Sequence, residues 1–102
     1  MSADLYNSKT NKKEMEKYEI TTRSKKAEKQ YYRILSPEVS EKLEKLTKNP
    51  RKELQAHKLK GKLKGLWSCH LSKNPDVVMI YEINDKNKEL IIYSVGSHHI
   101  YK

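Results

Sequence analysis

The segment HKLKGKLKGLWSCH, from His57 to His70, concentrates residue types that bind phosphate and transfer protons. Lysines attract phosphate groups, and the glycines at positions 61 and 65 let a backbone bend close to a ligand. A histidine, with an unperturbed pKa of roughly 6.5, exchanges protons near neutrality. The combination favours a site for a polyanion over a plain solvated loop. Its lysines alternate along the chain with no acidic residue among them: Lys58, Lys60, Lys62 and Lys64.

Three polar residues beyond this loop are candidates for the same site. His70 lies in an alternating segment in which Trp67, Cys69 and Leu71 point one way while Ser68 and His70 point the other. Asp76 opens the next apolar segment, across a short turn, and His98 follows the last one. We expect His57, His70, Asp76 and His98 to converge on one open sheet face. The spacing of the histidines and the cysteine is unlike that of a zinc site, so no metal is expected.

Composition limits the classes of protein to consider. The chain has 102 residues, enough for one domain, and a net charge of +9. Residues 1–65 carry 18 basic and 9 acidic residues, whereas residues 66–102 carry four of each, so the positive potential belongs to the front of the protein. This asymmetry favours nucleic acid or an acidic protein segment as the partner. A single cysteine, no apolar signal region and no run of about 20 apolar residues favour a cytoplasmic protein that does not associate with membranes.

Periodicity predicts an α+β domain. Residues 1–16 read as a disordered or weakly helical extension, and residues 17–102 as the folded domain. Residues 18–22 alternate as a strand, and Ser24 caps a helix that runs to about residue 35. Ser36 and Pro37 begin a second helix with an apolar stripe, which Asn49 and Pro50 end.

Three strands follow, at residues 66–71, 76–83 and 89–95. The last two are apolar on both faces, as buried strands are. We therefore predict a small antiparallel sheet of about four strands, with a two-helix hairpin packed on one face. No cofactor is expected.

In this order, the motifs NPR, HKLKGKLKGLW, SCH, DVVMIYEI and VGSHHIY resemble the RelE/ParE toxin superfamily, and most closely its YafQ-like branch. The resemblance covers roughly residues 17–102. It implies the toxin of a type II toxin–antitoxin system that acts as an endoribonuclease on mRNA, on the ribosome and in its A site. It also implies an antitoxin protein as partner.

The resemblance assigns roles by position. His70 and His98 would be the acid–base pair, in an order that the sequence leaves open. His57 would orient phosphate or share in proton transfer, and Asp76 would fix a histidine tautomer or contact a base. The loop lysines would bind RNA, and Tyr101 would stack on a base.

The chain also departs from the family pattern. Ser94 stands where relatives carry an arginine before the last Gly-Ser/Thr-His motif, and the segment at Trp67–Ser68 lacks a second arginine. Arginine supplies a planar, permanently charged phosphate clamp that lysine replaces imperfectly. The alternative interpretation is therefore a catalytically degenerate or ParE-like protein, which acts by binding nucleic acid or a protein target.

Overall fold

The computed structural model describes residues 17–73 and 76–97, and these form two helices and a five-stranded sheet. The helices are α1 (Lys25–Ile34) and α2 (Pro37–Lys48). The strands are β1 (Glu19–Thr22), β2 (His57–Lys58), β3 (Trp67–Lys73), β4 (Asp76–Asn84) and β5 (Glu89–Gly96). Residues 1–16 and the predicted positions His98 and Tyr101 lie outside the described residues.

Local capping chemistry sets the helix boundaries, as the sequence predicts. The Ser24 hydroxyl accepts a hydrogen bond from the amide of Ala27, and the Ser36 hydroxyl accepts one from Val39, both at 3.1 Å. Each hydroxyl therefore satisfies an amide that has no partner within its helix. Among the described residues, no helix is long and apolar enough to cross a membrane.

The predicted fold class is confirmed, with one difference in strand direction. The strand order is β1-β5-β4-β3-β2, and the neighbours β2 to β5 pair antiparallel. Strand β1, however, pairs parallel with β5. Most of the sequence of the domain lies between these two strands, so a local pattern carries no information about their relative direction. The two-residue strand β2 is the additional strand, and it brings His57 into the sheet.

Both helices contribute to one hydrophobic core on one face of the sheet. Leu46 of α2 and Ala27 of α1 are at most 1% exposed, and the core also contains the side chains of Cys69, Tyr81 and Ile92. The opposite face is also buried at its centre, which differs from the expected open face. Ser68 and Val78 are fully buried, and Ile80 is 2% exposed, yet none of them belongs to the helix-side core. Alternation indicates which face a residue lies on, but not whether that face is covered.

A polar clamp fastens the segment between α2 and β2 to the far end of the sheet. Arg51 donates to Asp85 in the β4–β5 turn, with Nη2 2.6 Å from Oδ2 and Nη1 3.3 Å from Oδ1, and the hydroxyl of Tyr18 donates to the same carboxylate. These two donors, Arg51 first, lower the pKa of Asp85 from 3.8 to about 2. The buried Tyr81 hydroxyl donates to the Pro50 carbonyl at 2.6 Å. The segment that leads to His57 therefore begins from a fixed point.

Candidate active site

Strand register aligns the candidate residues in two adjacent rows on the sheet face opposite the helices. In the first row, His57 pairs with Ser68, Ser68 with Ile80, and Ile80 with Ser94. In the second row, His70 pairs with Val78, and Val78 with Gly96. His57 and His70 are diagonal neighbours on adjacent strands, a relation in which residues typically lie about 7–8 Å apart and their Cβ atoms somewhat closer. Two of the predicted histidines therefore share one edge of one face.

The local backbone favours one tautomer of His57. This residue is exposed, and its Nδ1 lies 3.3 Å from the carbonyl oxygen of Gln55. A carbonyl only accepts hydrogen bonds, so this contact favours the neutral ring that has its proton on Nδ1, with Nε2 as the acceptor. An exposed imidazole held in this way presents a proton acceptor to a ligand.

His70 and Asp76 are neighbours at the outer end of β3 and β4. The His70 ring is 24% exposed, and its Nδ1 lies 3.9 Å from Oδ1 of Asp76. This distance is longer than a hydrogen bond, but it permits a favourable electrostatic interaction when the ring is protonated. The carboxylate can therefore orient the ring and stabilise its protonated form.

The loop that carries the four lysines is compact. The amide of Leu59 donates to the carbonyl of Leu66 at 2.9 Å and so closes the loop at its base. Gly61 and Gly65 adopt φ angles of +68° and +96°, which residues with a side chain rarely adopt. All four lysines are exposed, and within residues 17–73 and 76–97 none of them forms an ion pair: Lys58, Lys60, Lys62 and Lys64. Their positive potential is thus available to an anion.

A groove of about 510 Å³ lies between α2 and the outer edge of β3, beside His70. Its lining combines four charged or ionisable side chains with two uncharged polar ones and a single leucine: Glu38, Lys42, Leu54, Gln55, His70, Ser72 and Lys73. Lys42 is partly engaged, since its Nζ donates to the Leu71 carbonyl at 3.0 Å and lies 3.8 Å from Glu38. The groove is therefore a concavity that is lined mostly by polar residue types and adjoins the candidate proton-transfer residue.

The wall of this groove contains an unusual backbone conformation. Leu54 and Gln55 have φ angles of 55° and 57°, in the left-handed region, although neither is glycine. Such residues each cost on the order of 1 kcal/mol or more and concentrate at functional sites. Leu54 packs against the hydrophobic core, which helps to compensate for the strain. As a result, Gln55 is exposed two residues ahead of His57.

The structure thus brings together His57, His70, Asp76 and the lysine loop, whereas His98 and Tyr101 lie outside the described residues. Sequence reasoning missed Gln55, Lys42 and the clamp residue Arg51. Only Arg51 had a signal, as one of three arginines in a lysine-rich chain. A left-handed glutamine has no signature in sequence.

The chemistry of Cys69 separates it from this site. Its side chain is fully buried in the helix-side core, and burial raises the pKa of the thiol to about 12. The thiol therefore stays neutral and is a poor nucleophile. In the part of the chain that the structure describes, no three His, Cys, Asp or Glu side chains come close enough together to hold a metal ion.

Comparisons with known proteins give the family. The model of one family, described as the bacterial toxin of type II toxin–antitoxin system, YafQ, matches residues 4–101. A search of curated proteins finds no match. A metal-bound toxin from Helicobacter pylori is 28% identical, with a TM-score of 0.60 over 83% of this chain and 99% of that chain.

Two further solved structures share the fold. The RelBE toxin–antitoxin complex from Mycobacterium tuberculosis has a TM-score of 0.60 at 17% identity, over 80% of this chain and 99% of that chain. YafQ from E. coli has a TM-score of 0.56 at 21% identity, over 82% and 97%. Since the family model spans nearly the whole sequence, this chain belongs to the YafQ family of type II toxin–antitoxin toxins.

Proposed function

We propose that this toxin is an endoribonuclease that cleaves mRNA on the ribosome by acid–base chemistry that needs no metal ion. The observation that carries the proposal is the placement of His57, His70 and Asp76 on one edge of the sheet, beside a loop of exposed lysines that form no ion pairs among the described residues. Proton-transfer groups beside a cationic surface are what RNA cleavage requires.

The reaction balances without a further reactant. A base removes the proton from a ribose 2′-hydroxyl, whose oxygen then attacks the adjacent phosphorus. The bond from phosphorus to the 5′-oxygen breaks, and an acid protonates the departing oxygen. The products are a 2′,3′-cyclic phosphate and a 5′-hydroxyl. The lysines stabilise the negative charge that accumulates on the phosphoryl oxygens.

Each candidate residue has a role in this scheme. His70 and His98 form the acid–base pair, with Asp76 orienting His70. The position of His98 in the sequence supports its pairing with His70. Gly96 lies in the same row as His70, and His98 is two residues after Gly96 in the sequence. His57, with Nε2 as its acceptor, orients phosphate or shares in proton transfer. Tyr101 stacks on a base.

The proposed partners are the ribosome, with the mRNA in its A site, and a cognate antitoxin. The Mycobacterium tuberculosis relative is a toxin–antitoxin complex, which supports an antitoxin partner. An acidic or amphipathic antitoxin segment would complement the +9 charge of this chain.

A second candidate function has one observation in its favour. By the resemblance to the family, Ser94 stands where relatives carry an arginine, and in the structure it lies in the row of Ser68 and His57. Strands are spaced about 4.8 Å apart, so this row spans roughly 14 Å from β5 to β2. Without the arginine clamp, the protein would act by binding nucleic acid or a protein target, without cleavage.

A cleavage assay separates the two functions. Purified protein is incubated with translating ribosomes in the Mg²⁺-containing buffer that they require, with and without the transition-metal chelator 1,10-phenanthroline, and the mRNA ends are mapped by primer extension. We expect cleavage that persists in the chelator and leaves 2′,3′-cyclic phosphate termini, the product of attack by the 2′-hydroxyl. His70→Ala and His98→Ala should each lower the rate by about a hundredfold or more, the usual size of a general acid–base contribution.

His99→Ala is the matched control, since it removes the adjacent histidine that the proposal does not use, and it should cleave like the unsubstituted protein. Thermal melts confirm that each variant is folded. If every protein is folded and leaves the mRNA intact, yet expression of the unsubstituted protein still arrests growth, the nuclease proposal is refuted. The binding function would then replace it.

A further inference from the structure

The groove between α2 and β3 has the position and chemistry of a nucleotide subsite. It is about 510 Å³ in volume, within the usual range for small-molecule pockets, and His70 forms part of its wall. A strand whose phosphate is next to His70 has its neighbouring nucleoside within reach of this concavity. The groove therefore adjoins the reacting bond of the proposed function without being part of the acid–base set.

The side chain best placed to recognise a base is Gln55. It is exposed, lines the groove and follows the strained Leu54. A carboxamide presents one donor and one acceptor side by side, the pattern that forms paired hydrogen bonds with base edges. Its backbone has a separate task, since the Gln55 carbonyl holds His57. The side chain of Gln55 is thus placed for base recognition, while its backbone carbonyl contacts His57.

The lining favours a nucleotide over a protein segment. An amphipathic helix that docks in a groove uses several apolar anchors at helical spacing, and it needs apolar walls. This groove has Leu54 as its one aliphatic residue, and its other apolar surface comes from polar residues, including the methylene groups of lysine side chains. A flat base can lie on that leucine while polar groups contact its edge.

We propose that this groove binds a nucleobase of the RNA next to the scissile phosphate, and that Gln55 determines which base is accepted. The inference rests on the proposed function, because it assigns a substrate subsite to the same reaction.

The left-handed backbone allows a clean test. Gln55→Gly removes the carboxamide, keeps the carbonyl that holds His57 and relieves the φ strain. Gln55→Glu keeps the size but presents only acceptors, so it should favour cytosine, whose exocyclic amino group is a donor. Lys88→Gly is the matched control, because Lys88 also has a positive φ, of 56°, but lies in the β4–β5 turn.

The probes are the 2′-O-methyl dinucleotides ApA, CpC, GpG and UpU, which cannot be cleaved, titrated into the full chain and followed by NMR. We expect unequal affinities, with shifts at the Gln55 side-chain amide and at His70. Gln55→Gly should reduce the spread of affinities by about tenfold, within the range that one paired contact to a base contributes. Gln55→Glu should move the preference toward CpC, and Lys88→Gly should match the unsubstituted protein.

The outcomes separate this inference from the proposed function. One result is that dinucleotides bind in the groove with a base preference that disappears in Gln55→Gly, while the unsubstituted protein cleaves no mRNA. This result would support the subsite and refute the nuclease. Cleavage with an unchanged base preference in Gln55→Gly would refute the subsite alone. Three other results would also overturn the subsite. The dinucleotides bind nowhere, they shift only NMR signals of other surfaces, or the signals of the groove residues shift only with an acidic peptide.

Discussion

Neighbouring residues in this protein have opposite chemical roles because the strand alternates. Cys69 and His70 are adjacent in sequence, yet the thiol is fully buried in the core while the imidazole is 24% exposed at the candidate site. Burial keeps the Cys69 thiol neutral, and the proposed function assigns proton transfer to the histidines instead. The side chain of one residue, Gln55, adds the means to recognise a base.

A pH prediction concerns Asp85. Hydrogen bonds from Arg51 and then Tyr18 hold its pKa at about 2 in the folded protein, below its ordinary value of 3.8. A depressed carboxyl pKa stabilises the fold above pH 3.8, and this contribution is lost as the pH falls through about 2. We expect urea unfolding of Asp85→Asn to show a weaker dependence on pH between 4 and 2 than that of the unsubstituted protein.

Arg51→Ala tests the assigned cause. It removes the donor that lowers the pKa of Asp85 most, so it should also weaken the dependence of unfolding on pH. Identical profiles for Asp85→Asn and the unsubstituted protein in this window would show that the clamp does not perturb the carboxyl group.

At the scale of elements, the segment between α2 and β2 decides where His57 lies. It is fastened at one end by the Tyr81–Pro50 hydrogen bond and by Arg51, and at the other by the pairing of His57 with Ser68. Leu54 packs on the core between these points. The left-handed turn is therefore enforced from both sides, which is how a strained conformation persists without glycine.

We expect Tyr81→Phe to destabilise the fold by about 1–3 kcal/mol, because it leaves the buried Pro50 carbonyl without its donor. Chemical denaturation measures the change. Tyr93→Phe is the matched control, since its hydroxyl donates to the Glu82 carboxylate at a site that is only partly buried. Its removal should cost less, and an equal or larger destabilisation in Tyr93→Phe would contradict the role given to the Pro50 hydrogen bond.

At the scale of the whole molecule, the positive charge is distributed unevenly along the chain. The strands and both helices supply the hydrophobic core, while the excess positive charge belongs to residues 1–65. The lysine loop is its densest part, and it extends from the edge of the sheet beside the candidate site. An approaching polyanion is thus attracted to the edge where the histidines lie.

We expect Lys60→Gln/Lys62→Gln to weaken RNA binding. Each lysine that pairs with a phosphate of single-stranded RNA adds about 0.7 to the slope of log affinity against log salt, so its removal should reduce the slope by that amount. Filter binding across a salt series measures this slope. Lys45→Gln/Lys48→Gln removes the same charge from the exposed face of α2 and serves as the control. Equal reductions in both variants would indicate a general charge effect with no specific role for the loop.

The sequence alone determined the features that depend on neighbouring residues. Ser24 and Ser36 cap the helices because a hydroxyl reaches an amide three residues ahead, and alternation placed Ser68 and His70 on the face opposite Cys69. The α+β class and the toxin family followed from these elements and from the order of the motifs.

Only the tertiary structure decided what distant residues do to one another. The parallel pairing of β1 with β5 joins residues some 70 positions apart, and the clamp from Arg51 to Asp85 spans 34. The left-handed Leu54 and Gln55 are held by packing against the core, which no local preference of these residues would predict. The groove between α2 and β3 exists because those interactions place its walls, so its chemistry could be read only from the folded chain.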